Sequence, residues 1–393
     1  MSKNPPSNLA IPTQRFQTGH VLAISAGHAV HDTYTAFLAP LLPAFITNLS
    51  LSKTEAGLLT VFMQWPSLSQ PFIGHLADRV SLRYFVILAP LVTSMAMSLL
   101  GIAPSYGVLA MFLLVAGASS ASMHAVGPVM AGRLSGRNLG RGMGFWMVGG
   151  ELGRTLGPLV IVTAVRLLAL EGTPWLMLGG FLASAILYTR LKDVPGRPLE
   201  AGQPRPWRRA LRAMRPLLIP LCGVIVARAF MNAALTTFLP TFLSEEGAEL
   251  WLAGAALSIL EAAGVVGALL GGSISDRIER RWVLFVSMLT TPLLMFIFLT
   301  IGGWIQFPLL LMLGFISLSV SPVVMALVQE SFPENRALTN GIYMALNFIL
   351  HSGVVVAIGG LGDLFGLRLA FIFSGAVALL GLPLIFFLPK PGH

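Results

Sequence analysis

Nine ionisable side chains fall inside long apolar segments of this chain, where a charge is costly unless it is paired or hydrated. They are five charged residues and four histidines: Asp32, Glu151, Arg154, Arg228, Glu261, His28, His31, His124 and His351. Buried carboxylates and imidazoles can exchange protons near neutral pH, and arginine can hold a carboxylate or phosphonate through two hydrogen bonds. Each of the nine is therefore a candidate for proton transfer or for ligand binding.

Three of these residues form one group on the first apolar segment. At 100° per residue, His28, His31 and Asp32 fall within an arc of about 100° of a helix. Asp32 in this group is predicted to be the proton-coupling site, although a purely structural hydrogen-bonded group of Asp32 and the histidines remains an alternative. Two histidines and a carboxylate also suit a transition metal, but three ligands on adjacent turns of one helix converge poorly. We therefore predict no metal and no cofactor.

Charge balance distinguishes the remaining ionisable residues. Glu151 and Arg154 share one helix face a turn apart and can neutralise each other. Arg228 and Glu261 lie at similar depth on successive segments and could pair, which leaves Asp32 without a cation other than the histidines. The residues predicted to take part in proton coupling are Asp32, His28, His31, Glu151 and Glu261.

Polar stripes indicate where a substrate would bind. Asn340, Tyr343, Asn347 and His351 lie within an arc of about 80° and should face the interior of a helix bundle. Structural roles for His124 and His351 remain open. The predicted substrate-binding residues are Tyr34, His124, Arg154, Arg228, Asn232, Asn347 and His351.

The elements that hold these residues are membrane-spanning helices. Hydrophobic residues make up 55% of the 393 residues and charged residues only 10%, and a lipid-spanning helix needs about 20 mostly apolar residues. The sequence predicts an all-α polytopic membrane protein with twelve spans. The predicted spans are 20–47, 54–78, 84–103, 106–132, 140–165, 173–191, 217–243, 251–275, 282–301, 304–331, 337–361 and 367–388.

The net charge of +9 does not indicate a nucleic-acid partner. It reflects the orientation of the chain in the membrane, because 20 of the 25 lysines and arginines fall in segments on one side of these spans. Cytoplasmic loops carry such an excess, so both ends are predicted to be cytoplasmic. The predicted parts are a tail at 1–19, a six-helix bundle at 20–191, a basic linker at 192–216, a second bundle at 217–388 and a tail at 389–393. Cys222 is the only cysteine, which excludes an internal disulfide.

A repeated motif predicts that the two bundles are homologous. The pattern GxxxDRxxxR runs from Gly74 to Arg83 and again from Gly272 to Arg281, 198 positions later. Pro43 in span 1 has a counterpart 197 positions later at Pro240 in span 7. Repeats that span half the chain are typical of secondary transporters.

The repeated motif resembles the signature between helices 2 and 3, and between helices 8 and 9, of the major facilitator superfamily. The resemblance covers the whole chain and implies two pseudo-symmetric six-helix bundles. Ser81 stands where the family usually has glycine. The resemblance implies gating roles for Gly74, Asp78, Arg79, Arg83, Gly272, Asp276, Arg277 and Arg281.

Two further segments resemble particular branches of this superfamily. The stretch from Gly149 to Pro158 in span 5 resembles the motif of drug:proton antiporters. The stretch from His28 to Leu38 is similar to the first helix of the fosmidomycin-resistance branch, with His31 in place of the usual asparagine, and 117–128 also resembles that branch. The basic residue that drug antiporters often carry in span 4 is absent, and Leu113 lies near its place.

Together these features predict a proton-coupled antiporter that exports a small, drug-like anionic or zwitterionic organic compound. We expect a monomer in the lipid bilayer of the bacterial inner membrane, whose partners are its substrate and protons. Alternatives are uptake of an organic anion by proton symport and, third, transport of a metal or metal chelate. An enzyme is disfavoured because serines in membrane helices serve packing, and nucleotide-driven transport because no GxxxxGK[ST] loop is present.

Overall fold

The protein is a bundle of twelve helical segments, which confirms the predicted fold class. The computed structural model describes residues 16–70, 72–73, 82–136, 138–194, 207–275, 277–331 and 336–388. Ten of the segments in this part of the chain are long and apolar enough to cross a membrane. The other two are span 1, which is broken after Thr35, and span 2, of which residues 71 and 74–78 lie outside the described part of the chain.

The first half contains spans 1 to 6. Their helices are Thr18–Thr35 and Leu38–Leu49 (span 1), Lys53–Gln64 and Trp65–Ser69 (span 2), Arg83–Ser98 and Leu99–Ile102 (span 3), Tyr106–Leu134 (span 4), Leu139–Leu168 (span 5), and Leu170–Leu176 and Met177–Leu191 (span 6).

The second half contains spans 7 to 12. Their helices are Trp207–Ala233, Ala234–Phe238 and Leu239–Glu245 (span 7), Leu250–Ser275 (span 8), Arg280–Thr300 (span 9), Gly303–Ile305, Gln306–Leu318 and Val320–Ser331 (span 10), Arg336–Phe365 (span 11), and Leu367–Leu380 and Leu382–Phe387 (span 12). The helix of span 7 therefore begins ten residues before the predicted start at 217.

Spans 1 and 7 are interrupted at corresponding places. Span 1, predicted as one continuous helix, breaks after Thr35, because Pro40 lacks an amide hydrogen and its ring crowds the carbonyl four residues earlier. In span 7 a π-helical turn, Ala234–Phe238, precedes Pro240. Such turns accommodate a proline and often mark functional sites.

The two halves contact each other at one end of the bundle, which we name the closed end. There the Asp363 carboxylate of span 11 accepts hydrogen bonds from the backbone amides of Lys53 and Thr54, at 2.6 and 2.9 Å, and from the Thr54 hydroxyl at 2.6 Å. The Lys53 ammonium lies 3.0 Å from the Glu245 carboxylate of span 7. These contacts join the start of span 2 to the ends of spans 7 and 11.

Spans 5 and 8 form a second cross-half contact at the same end. The indole nitrogen of Trp251 donates to the Thr163 hydroxyl at 3.2 Å. A Cβ atom placed on Gly254 would lie 3.2 Å from Cβ of Val162, so the Val162 side chain packs directly against the helix of span 8. The absence of a side chain at Gly254 allows this close approach.

The last arginine of each repeated motif anchors the sixth span of its own half. Arg83 donates to the carbonyl of Val194 at 3.0 Å, just after span 6, and Arg281 donates to the carbonyl of Leu388, just after span 12. Arg277 is exposed and Gly272 belongs to the helix of span 8. The other predicted gating residues, Gly74, Asp78, Arg79 and Asp276, lie outside the described residues.

Candidate functional site

Glycines bring span 5 against span 1, where the predicted proton-coupling residues lie. A Cβ on Gly149 would lie 2.3 Å from the carbonyl oxygen of Ser25, and one on Gly153 would lie 2.4 Å from that of Ala29. Real Cβ atoms do not approach oxygen so closely, so only glycine permits this helix contact. The same stretch of span 5 that resembles an antiporter motif therefore forms one wall of the site.

His28, Asp32 and His124 converge at the centre of this site. The Nε2 atoms of His28 and His124, from spans 1 and 4, are 3.2 Å apart. The Asp32 carboxylate lies 3.3 Å from Nε2 of His28 and 3.8 Å from Nε2 of His124. His28 and Asp32 are buried, with exposed fractions of 3% and 5%. We name His28, Asp32 and His124 the histidine–aspartate centre.

Backbone carbonyls fix the orientation of both imidazoles in this centre. Nδ1 of His28 lies 2.9 Å from the carbonyl oxygen of Trp146, and Nδ1 of His124 lies 2.9 Å from that of Ser120. A carbonyl oxygen can only accept, so each Nδ1 carries the hydrogen and donates it. In neutral imidazoles both Nε2 atoms would then be lone-pair acceptors that face each other.

His31 lies beside the centre and supports the carboxylate. Nδ1 of His31 donates to Asp32 at 2.8 Å, whereas its Nε2 is buried and has no hydrogen-bond partner among the described residues. The three residues expected to act together from span 1 thus have different contacts.

The ligand atoms of His28, Asp32 and His124 all lie within 4.8 Å of one another, a spacing that could also hold a metal ion. This trio differs from the set weighed from the sequence, because His124 from span 4 takes the place of His31. The difference follows from the helix geometry, since a ligand from a second helix can converge where adjacent turns cannot.

Glu151, Arg154 and Glu261 form a second charged group. The expected ion pair between Glu151 and Arg154 is present in span 5. The Arg154 guanidinium also interacts electrostatically with Glu261 of span 8 and with Asp32. Arg154 therefore pairs with Glu151 and is under the electrostatic influence of carboxylates in both halves.

The pairing of Arg228 with Glu261, expected from their similar depth, is wrong. Arg228 donates instead to the hydroxyls of Ser321, at 3.4 Å, and of Tyr343, while Glu261 interacts with Arg154 and Glu151. The two residues face different neighbours, which depth along a helix does not reveal. Asn232 lines a small cavity next to Arg228.

The remaining predicted substrate residues are dispersed. Tyr34 is buried, and its hydroxyl donates to the carbonyl of Leu176 at 2.5 Å, where it joins spans 1 and 6. Asn347 and His351 are half-buried in span 11. Sequence reasoning missed Trp146, whose ring stacks on His28 with ring centres 3.7 Å apart. A tryptophan three residues before the stretch from Gly149 to Pro158 was the available signal.

Comparison with known proteins identifies the family. The model of the Major Facilitator Superfamily matches residues 24–352. The chain is 24% identical to the fosmidomycin resistance protein of Escherichia coli, over 99% of this chain and 98% of that protein. It is also 23% identical to the uncharacterised MFS-type transporter YfnC of Bacillus subtilis, over 94% of this chain and 92% of that protein.

The fold matches solved transporters as well. A bacterial homologue of the human lysosomal transporter Spinster, in an inward-facing and unoccupied conformation, superposes with a TM-score of 0.80 at 15% identity, covering 96% of this chain and 97% of that one. The protein is therefore a multi-pass membrane transporter of small molecules and not an enzyme, and it belongs to the major facilitator superfamily.

Proposed function

We propose that the protein is a proton-coupled exporter of a small organic anion or zwitterion, and that the histidine–aspartate centre holds the coupling proton. We further propose that it lies in a bacterial inner membrane with both termini in the cytoplasm. The name of the Escherichia coli relative, a resistance protein, supports export. The observation that carries the proposal is the 3.2 Å contact between the Nε2 atoms of His28 and His124.

Hydrogen counting supports a proton at this position. Because both Nδ1 hydrogens are donated to carbonyls, two neutral imidazoles would place two lone pairs 3.2 Å apart. One added proton converts this repulsive contact into a hydrogen bond between an imidazolium and an imidazole. The charge of that imidazolium is balanced by Asp32, so the protonated centre is neutral in total.

Loss of the proton changes the charge of the centre by one unit. The Asp32 carboxylate then has no imidazolium to balance its charge, and the cation that still acts on it is Arg154. Arg154 also interacts electrostatically with Glu261 in the other half. We propose that the guanidinium shifts toward Asp32 when the centre is deprotonated and toward Glu261 when it is protonated. Such a shift would change the interaction between the two halves whenever the centre gains or loses its proton. Proton binding can shift a conformational equilibrium only through a difference of this kind.

The test is transport in proteoliposomes of Asp32→Asn, with a substrate chosen as a compound that stabilises the purified protein against heating. Asparagine removes the charge that balances the imidazolium, so the centre no longer favours binding of a proton. We expect exchange without a gradient to survive and transport driven by a pH gradient to fail. Glu171→Gln, an exposed acidic residue outside the centre, is the matched control and should transport normally.

Three outcomes would contradict the proposal. Transport of Asp32→Asn that still follows the pH gradient would place coupling elsewhere. A substrate that accumulates on the side of lower proton concentration in the wild type would indicate symport, the alternative mechanism. Transport that requires added Zn²⁺ and is abolished by a chelator would make the centre a metal site.

A further inference from the structure

The second half contains a counterpart of the residues around His124, with different chemistry. The shift of 197 positions that aligns Pro43 with Pro240 also carries His31 onto Arg228, His124 onto Ser321 and Trp146 onto Tyr343. In the first half, the His124 ring lies near those of His31 and Trp146, with centres 5.7 and 6.2 Å away.

The counterparts also contact each other. Arg228 of span 7 donates to the hydroxyls of Ser321 in span 10, at 3.4 Å, and of Tyr343 in span 11. Corresponding spans therefore form corresponding groups in both halves. The two groups are the products of one repeated architecture.

Their charges differ. In the first half, Asp32 can balance an imidazolium, but the shift of 197 places Ala229 at its position. Among the described residues no carboxylate lies within ion-pair distance of Arg228, whose polar partners there are hydroxyls. The first half thus has a fixed anion and a removable proton, whereas the second has a permanent cation for which the described residues supply no anion. A buried arginine is costly in a membrane unless it is paired.

The donors around Arg228 are arranged for an anion. A guanidinium can only donate, so the Ser321 and Tyr343 oxygens accept from it and each keeps its own hydroxyl hydrogen for another acceptor. Ser321 is exposed and Arg228 is half-buried, so the group can be reached. Arg228 and Asn232 also line the same small cavity, together with Ser287, Thr291 and Ser317.

We propose that Arg228, Ser321 and Tyr343 form a binding site for the anionic group of the transported compound, a carboxylate or phosphonate. The inference deepens the proposed function, because it assigns the substrate's negative charge to the second half while the first half holds the proton. Arg154 is not an equivalent site, because Glu151 already neutralises it. The substrate then needs one anionic group held by one arginine.

The experiment compares benzoate with benzamide, which has nearly the same shape but no charge. Thermal unfolding of the purified protein is measured in detergent, without a proton gradient, over a range of each compound. Benzoate should raise the unfolding temperature of the wild type in a saturable manner and benzamide should not. Arg228→Gln should abolish the benzoate effect, whereas Arg190→Gln, at an exposed arginine of span 6, should retain it.

Two conservative variants keep the test decisive if Arg228→Gln does not fold. Tyr343→Phe and Ser321→Ala each remove one neutral donor, and each should weaken benzoate binding roughly ten-fold, as expected for a hydrogen bond to a charged group. Any one of three results would overturn the proposed anion site. Benzamide could stabilise the wild type as much as benzoate does, benzoate could fail to stabilise it, or benzoate affinity could be unchanged in all three variants.

Failure of this inference can be distinguished from failure of the proposed function. Asp32→Asn should bind benzoate like the wild type, because the anion site lies in the other half. Normal gradient-driven transport without Arg228-dependent benzoate binding would overturn the anion site alone. If benzoate binding depends on Arg228 but transport does not respond to a pH gradient, the anion site stands and the proposed proton coupling is wrong.

Discussion

The contact between Asp363 and the start of span 2 provides a direct test of what holds the closed end together. The carboxylate accepts hydrogen bonds from two backbone amides and one hydroxyl in the other half. It therefore adds a cap from a different span to a helix whose own N-cap, Ser52, accepts from the amide of Glu55. In Asp363→Ala the first turn of span 2 loses this cap, and Lys53 loses a nearby negative charge.

The magnitude follows from the contacts that are removed. Loss of an aspartate N-cap costs about 1 kcal/mol, and loss of a negative charge at a helix N-terminus costs a further ~0.3–1 kcal/mol at an exposed site. With a small contribution from Lys53, the closed conformation should be destabilised by about 2 kcal/mol, or roughly 30-fold in its equilibrium constant. If closure is favoured about ten-fold in the wild type, the closed fraction falls from about 0.9 to about 0.25.

The assay is disulfide formation between spans 5 and 8 in a Cys222→Ser background. Cysteines at Val162 and Gly254 would have Cβ atoms about 3.2 Å apart, close to the separation of about 3.8 Å found in disulfides. Cross-linking should slow about four-fold with Asp363→Ala, in proportion to the closed fraction. Arg368→Ala is the matched control, because Arg368 at the same end bonds Glu246 within its own half. Equal cross-linking rates in the two variants would refute this account of closure.

Three further predictions concern topology, the gate and the charged group of span 5. In a Cys222→Ser background, cysteines at Gly202 and Glu246 should react with impermeant reagents from opposite sides of the membrane, and labelling of both from outside would exclude the predicted topology. Asp78→Asn should largely abolish transport but leave ligand-induced stabilisation intact, whereas normal transport would show that the family's gating role does not apply. Arg154→Lys should impair ligand binding more than Asp78→Asn does, since lysine keeps the charge but lacks the planar fork, and unchanged ligand binding in Arg154→Lys would contradict a role for that fork.

Much of the architecture was predictable from the sequence, because lipid restricts the possible structures. A polypeptide in hydrocarbon must satisfy its backbone hydrogen bonds internally, so long apolar segments indicate helices. The repeated motif at Gly74 and Gly272 then divided twelve helices into two halves. The break in span 1 was not predicted, although Pro40 was the signal for it. A hydropathy average over about twenty residues does not detect the local effect of one proline.

The contacts of the site were only partly predictable. Helical spacing correctly predicted the ion pair between Glu151 and Arg154, because side chains three residues apart are neighbours on one face of a helix. It could not bring His124 from span 4 to His28, and it wrongly paired Arg228 with Glu261, because rotation of one helix against another is set by packing. The cap that Asp363 supplies joins residues 309 and 310 positions apart, and no local pattern marks such a contact.

The duplication explains how one fold can support two different ligands. Both halves bring together residues from their first, fourth and fifth spans, so the repeat provides two equivalent polar positions within one bundle. The first half has Asp32, an anion that can balance a removable proton, and His31, whereas the second half has Ala229 and Arg228, which leave no anion and a permanent cation at these positions. An exporter that exchanges protons for anions needs both kinds of site, because the proton must be released while the cation that holds the anion stays charged. Divergence of two repeats at these positions would suffice to produce that asymmetry without any change of fold.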